Sequence, residues 1–95
     1  MKNSKSMKEL TKAEEQVMQV LWKVKEGIVR DIISHFSDPK PAYNTVSTVL
    51  RVLEKKGFVD HKAYGTTYVY FPLVSKKEYS GFQFSNLIKN FFSNI

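Results

Sequence analysis

The chain has 95 residues, 42% of them hydrophobic and 14% aromatic, which is material for one small packed domain and argues against both a second core and intrinsic disorder. It contains no cysteine, which excludes disulfides, thiol nucleophiles and thiolate metal sites, and no apolar run approaches the roughly 18 residues of a membrane span. The formal net charge of +6 favours an anionic partner, and the Lys-rich start leads into polar sequence instead of a signal-peptide core, so cytoplasmic residence is expected.

Residues 1–9 are polar and basic without periodicity and read as a flexible arm. Thr11 and Glu14 then have the spacing of a capping box, in which each side chain serves the other's backbone amide. Ala13, Val17, Val20, Leu21 and Val24 recur at helical spacing beside Met18 and Trp22, giving an amphipathic helix that ends near Lys25 and Gly27. A second, short helix over residues 28–36 places Ile28, Ile32, Ile33 and Phe36 on one side, with Arg30, Asp31 and Ser34 largely on the other.

Pro39 and Pro41 break the chain, because each fixes its own φ and pushes the residue before it out of the helical region. A third helix follows over residues 43–56, with Val46, Val49, Leu50 and Leu53 as its core stripe and Gly57 as its C-terminal cap. Residues 58–63 and 67–71 are β-branched and aromatic around a turn at Tyr64-Gly65-Thr66, which predicts a hairpin closed by Pro72. Ser75 and Glu78 form a second capping box and open a fourth helix, with Gly81 as a point where it bends or starts loosely.

Three helices, a two-stranded wing and a further helix predict an α+β, mainly helical fold: a winged helix-turn-helix over residues 10–74, followed by a C-terminal dimerisation helix over residues 75–95. A reading helix must bury one face and offer hydrogen-bonding groups to base edges with the other. Opposite its core stripe the third helix presents Tyr43, Asn44, Ser47, Thr48 and Arg51. Taken alone, Asn44 and Thr45 read equally well as caps, and Ser47 and Thr48 as solvated surface. The wing shifts that balance, since Lys62, Tyr64, Thr66 and Thr67 surround Gly65 with groups that suit phosphate or a minor groove.

Phe84, Ile88, Phe91 and Ile95 follow four-three-four spacing along the fourth helix, and Phe82, Leu87 and Phe92 widen that surface. So much apolar area is costly to leave in water, at roughly 25 cal/mol per Å², and a second copy of the chain is the expected cover. The charges follow a compatible gradient. Residues 13–38 carry five acidic groups against three basic ones, whereas residues 39–75 carry five basic against two acidic.

Three segments, LTKAEEQVMQVLW (residues 10–22), NTVSTVLRVLEKKGFV (44–59) and GTTYVYFPLVSKKEY (65–79), lie in an order and spacing that resemble the penicillinase and methicillin-resistance repressors, the BlaI/MecI group of bacterial winged-helix regulators. The resemblance covers nearly the whole chain after the basic arm. It implies a homodimer that places one third helix per subunit in successive major grooves of a palindromic double-stranded DNA operator and blocks transcription. It puts base or phosphate contact on Tyr43, Asn44, Thr45, Ser47, Thr48 and Arg51, and wing contact on residues 62–67. It also implies a membrane sensor or protease partner that relieves repression by cutting the chain. Asn90-Phe91 has the residue types of that cut but falls too early in the fourth helix, so it is given no such role.

Enzymatic chemistry is not expected. His35 and His61 pair with no nucleophile, there is no Gly-rich phosphate loop, and no small-molecule substrate is evident. His35, Asp38 and His61 lack the short-spaced pair that anchors a metal, so no metal or cofactor is expected. The competing reading is a winged-helix module that docks its third helix on a protein.

Overall fold

A computed structural model describes residues 7–93. Residues 1–6 of the expected basic arm and Ile95 of the expected pairing surface lie outside that range. The elements run α1 (Lys12–Val24), α2 (Val29–Ser34), α3 (Tyr43–Lys55), β1 (Val59–Tyr64), β2 (Thr67–Pro72) and α4 (Lys76–Ser93).

Helix α1 begins at the capping box read in the sequence: Glu14 N donates to Thr11 Oγ1 at 3.2 Å, and Thr11 N donates to Glu14 Oε1 at 2.9 Å. Its buried residues are Glu14, Val17, Met18 and Leu21. Ala13, expected in the stripe, is exposed, and the charged residue beside it takes the inner position. Glu14 can do so because Lys56, just beyond α3, donates to its Oε1 at 2.7 Å. Burial alone pushes the Glu14 carboxyl up, but the bonds from Lys56 and the Thr11 amide outweigh it and hold the group below its ordinary range.

That pair carries a testable cost. Lys56→Met keeps the side-chain stem and strands a buried carboxylate, so about 1–3 kcal/mol of stability should be lost in urea denaturation at neutral pH. Because the folded-state pKa is depressed, the pair's contribution is complete above the ordinary Glu range and disappears as pH falls through the depressed value. The gap between variant and wild type should therefore narrow on acidification. A gap that is constant with pH would show that Glu14 is not the group affected.

In α2, Val29 and Ile32 are buried, while Ile28, Ile33 and Phe36 of the expected stripe are half-buried. The helix is only six residues long, so its inward direction is set by its contacts with α1 and α3 more than by its own period. His35 caps its end in an exposed position, its Nδ1 2.9 Å from Asp31 O. Helix α3 buries Val46, Leu50 and Leu53 and closes with a Schellman motif: Gly57 N donates to Glu54 O at 3.0 Å and Phe58 N to Leu53 O at 2.9 Å. The reversal needs a left-handed residue, and Gly57 supplies it at φ 85°. Phe58 then drops into the core beside Leu53.

The hairpin is antiparallel, with His61 opposite Tyr70 and Tyr64 opposite Thr67 around a turn at Gly65 (φ 65°) and Thr66. It is fastened to the helices at Gly27, whose N–H and C=O exchange 2.9 Å hydrogen bonds with Tyr70. The segment between α1 and α2 thus serves as a third, one-residue strand, which sets the hairpin against the helical cluster.

Ser75 and Glu78 form the second capping box, with Glu78 N to Ser75 Oγ at 3.0 Å and Ser75 N to Glu78 Oε1 at 2.8 Å. Helix α4 starts at Lys76 and continues without interruption through Gly81, so Gly81 lies inside the helix and is not a loose start. Its first turns join the main core through Tyr79, which meets Phe58 edge-on at 5.7 Å and lies 6.2 Å from Trp22. The Tyr79 hydroxyl accepts from Leu10 N at 2.9 Å, and burial pushes its pKa up. Phe82 packs on Tyr79 at 5.9 Å and is half-buried, so it partly covers the domain's own core. Farther along, Phe84, Leu87, Ile88, Phe91 and Phe92 are exposed, Phe84 by 64%.

Candidate nucleic-acid interface

Three buried aliphatics fix the rotation of α3, so its opposite side must face solvent. Asn44, Thr45, Thr48 and Arg51 are exposed there, and Val52 adds an apolar patch at 37% exposure. Asn44, Thr48 and Arg51 are spaced by four and three residues, so they form one ridge along the helix. Ser47, expected with them, is half-buried: it turns toward the hairpin, and Arg51 Nη2 donates to its Oγ at 3.3 Å.

Tyr43, at the first position of α3, and Ser47 line a shallow cleft of about 210 Å³ with Arg30 of α2 and with Thr66, Thr67 and Tyr68 of the hairpin. Two of these residues carried no signal in the sequence. In the sequence Arg30 falls on the polar side of the second helix, and Tyr68 within a strand. The cleft mouth offers a guanidinium, two phenols and three hydroxyls, a donor set that suits a phosphate backbone.

The strand register decides which wing residues share this side. His61 and Ala63 share a face with Tyr68 and Tyr70, whereas Lys62 shares the other with Val69 and Phe71. His61 Nδ1 lies 2.8 Å from Glu54 Oε1 in the last turn of α3, so the His61 face is the one turned to the reading helix. Lys62 is therefore on the far face, where its ammonium lies 6.0 Å from the centroid of the Phe71 ring. It joins the cleft group only by proximity to the tip. Tyr64 and Gly65 are exposed at that tip. Of the eleven residues read from sequence, Asn44, Thr45, Thr48 and Arg51 form the open ridge, and Tyr43, Ser47, Thr66 and Thr67 flank the cleft.

No helix among the described residues is long and apolar enough to cross a membrane. His61 meets Glu54 instead of the His35 and Asp38 considered from the sequence. A buried α3 stripe, an open polar ridge and a hairpin tied back at Gly27 make a winged helix-turn-helix. The sequence model of the family described as penicillinase repressor matches residues 10–95. The chain belongs to the penicillinase repressor family.

The chain is 27% identical over 90 residues to the penicillinase repressor of Bacillus licheniformis, covering 94% of this chain and 70% of that protein. It is 31% identical over 71 residues to the methicillin resistance regulatory protein MecI of Staphylococcus aureus (strain N315), covering 74% of this chain and 58% of that one. Among solved structures, the solution structure of the DNA-binding domain of the repressor BlaI aligns with a TM-score of 0.65 and 29% identity, over 82% of this chain and 93% of that domain. The CopR repressor aligns with a TM-score of 0.58 and 30% identity, over 72% of this chain and all of that chain.

Proposed function

We propose that this family member is a sequence-specific DNA-binding repressor that sets α3 in the major groove and pairs through α4, so that a homodimer meets a palindromic operator. The observation that carries the reading is the ridge of Asn44, Thr48 and Arg51, open to solvent on a helix whose opposite face is buried. A relative named as a penicillinase repressor, and a structural neighbour that is the DNA-binding domain of the repressor BlaI, support it.

Each side chain has a role that its chemistry fits. The Asn44 amide can pair with both an acceptor and a donor of adenine, and the Arg51 fork matches the two acceptors of guanine. Thr45 and Thr48 give close hydroxyl contact, and Val52 suits a thymine methyl. Arg30, Tyr43 and Ser47 with Thr66, Thr67 and Tyr68 take the adjoining phosphates across the cleft, which fixes register without reading sequence. Lys62, Tyr64 and Gly65 extend the wing along the backbone beyond the tip. Such a protein works where the chromosome is, in the cytoplasm. A membrane sensor or protease partner rests on the family resemblance alone.

Salt dependence separates this reading from docking of α3 on a protein. Affinity for DNA should fall linearly on a log-log plot, with a slope of about −0.9 per neutralised phosphate. Arg30→Ala should weaken binding to all DNA sequences alike and make the slope shallower by about 1. A flat salt response in the wild type would reject DNA as the partner, and an unchanged slope in the variant would remove Arg30 from the phosphate track.

A further inference from the structure

We propose that Glu54, Asp60 and His61 form a binding site for a first-row divalent transition cation, typified by Zn²⁺, at the junction of the reading helix and the wing. One ligand atom from each of the three lies within 4.8 Å of the others. The site has two carboxylates and one imidazole. That is a mixed oxygen and nitrogen set, which favours Zn²⁺ over the harder, oxygen-seeking Mg²⁺ and Ca²⁺.

Each ligand is held by a separate anchor. Glu54 is in the last turn of α3, where its carbonyl accepts from Gly57 N in the Schellman closure. Asp60 Oδ1 accepts from the His61 backbone amide at 2.8 Å, which bends its carboxylate toward its neighbour. The His61 ring lies flat on Tyr68, with centroids 4.1 Å apart and planes 17° from parallel, and Tyr70 lies against it at 5.4 Å. This clamp aims Nδ1 at Glu54 Oε1, 2.8 Å away. Two ligands at about 2.05 Å from a tetrahedral ion are roughly 3.3 Å apart, so seating the ion needs the Glu54–His61 pair to spread by about half an ångström and the Asp60 carboxylate, within 4.8 Å of both, to close on it. Three protein ligands leave the fourth position to water.

The carboxylates also give the cation a reason to bind. Two anionic groups stand together in a chain of net charge +6, and a divalent ion neutralises both while replacing the single hydrogen bond between Glu54 and His61. It would join α3 to β1 by coordination and hold the wing at one angle to the reading helix.

Calorimetric titration of the metal-free protein with ZnCl₂, in the absence of DNA, tests the site. One Zn²⁺ should bind per chain, with the ring-nitrogen NMR signal of His61 Nδ1 shifting on binding. His61→Gln should abolish the uptake, and Glu54→Gln, which keeps a hydrogen bond to the ring, should weaken it by at least about 10-fold. Tyr68→Leu leaves all three ligands in place but frees the ring, and should weaken uptake by about 10-fold. Absence of binding heat in the folded wild type would overturn the proposal. So would uptake that survives His61→Gln unchanged, since the ion would then be elsewhere.

Discussion

Phe84→Asp combined with Phe91→Asp should convert the protein to a monomer and lower its affinity for a two-half-site operator by about 100-fold or more. The physical reason is the outer face of α4, where five large apolar side chains are exposed beyond the turn at which Tyr79 and Phe82 anchor the helix. Pairing removes that face from water. It also makes the second half-site contact intramolecular, and the lost effective concentration is worth about 10²–10⁴-fold. Phe84 and Phe91 touch little of their own domain, so thermal unfolding at low protein concentration should change little, and binding to a single half-site should persist. Sedimentation velocity and operator titration read the two effects separately. A variant that remains dimeric with unchanged operator affinity would place the interface elsewhere.

Arg51→Ala should cost about 1–3 kcal/mol against the preferred operator and relax the preference at one base position per half-site. Arg51 sits on the open ridge and is lightly tethered, its Nη2 donating to Ser47 Oγ at 3.3 Å. That bond prepositions the guanidinium without satisfying its donors, which leaves most of the fork for a base edge. Thr48→Ala should act in the same way but more weakly, because one hydroxyl discriminates less than a bidentate fork. The comparison with Arg30→Ala is the informative part. A base reader loses discrimination, whereas a phosphate contact loses affinity on every sequence. Equal losses on specific and random DNA for Arg51→Ala would remove it from the base-reading set.

The features legible in the sequence were those set by neighbours a few residues apart. Both capping boxes formed as read, at Thr11 with Glu14 and Ser75 with Glu78, because their partners are three residues apart and need no tertiary help. The hairpin turn at Gly65 and the helix stop at Gly57 were equally local. What escaped depends on partners brought together by folding. Glu14 took a buried position because Lys56, 42 residues away, neutralises it, and no periodicity in α1 contains that fact. The bridge from Gly27 to Tyr70 and the seat of Tyr79 on Phe58 and Trp22 have the same origin.

The same limit shaped the reading of the site. The register sets Lys62 and His61 on opposite faces of the hairpin, and which of those faces meets α3 depends on packing that no strand pattern contains. The contact of His61 with Glu54 settles that choice. Ser47 lies at the edge of the helix face, where a small rotation toward the wing separates a ridge residue from a cleft residue. Arg30 and Tyr68 had no local mark in the sequence, because the cleft they line exists only at the junction of α2, α3 and the hairpin.

Selection of bound sequences from a random double-stranded DNA pool tests the central proposal most directly. It should enrich an inverted repeat with half-site centres about 34 Å apart, one turn of B-DNA, and the bases enriched by the wild type should lose their preference at one symmetric position in Arg51→Ala. A pool that shows no enrichment, or enriches a motif that Arg51→Ala and Thr48→Ala leave unchanged, would contradict the assignment of α3 as the reading helix.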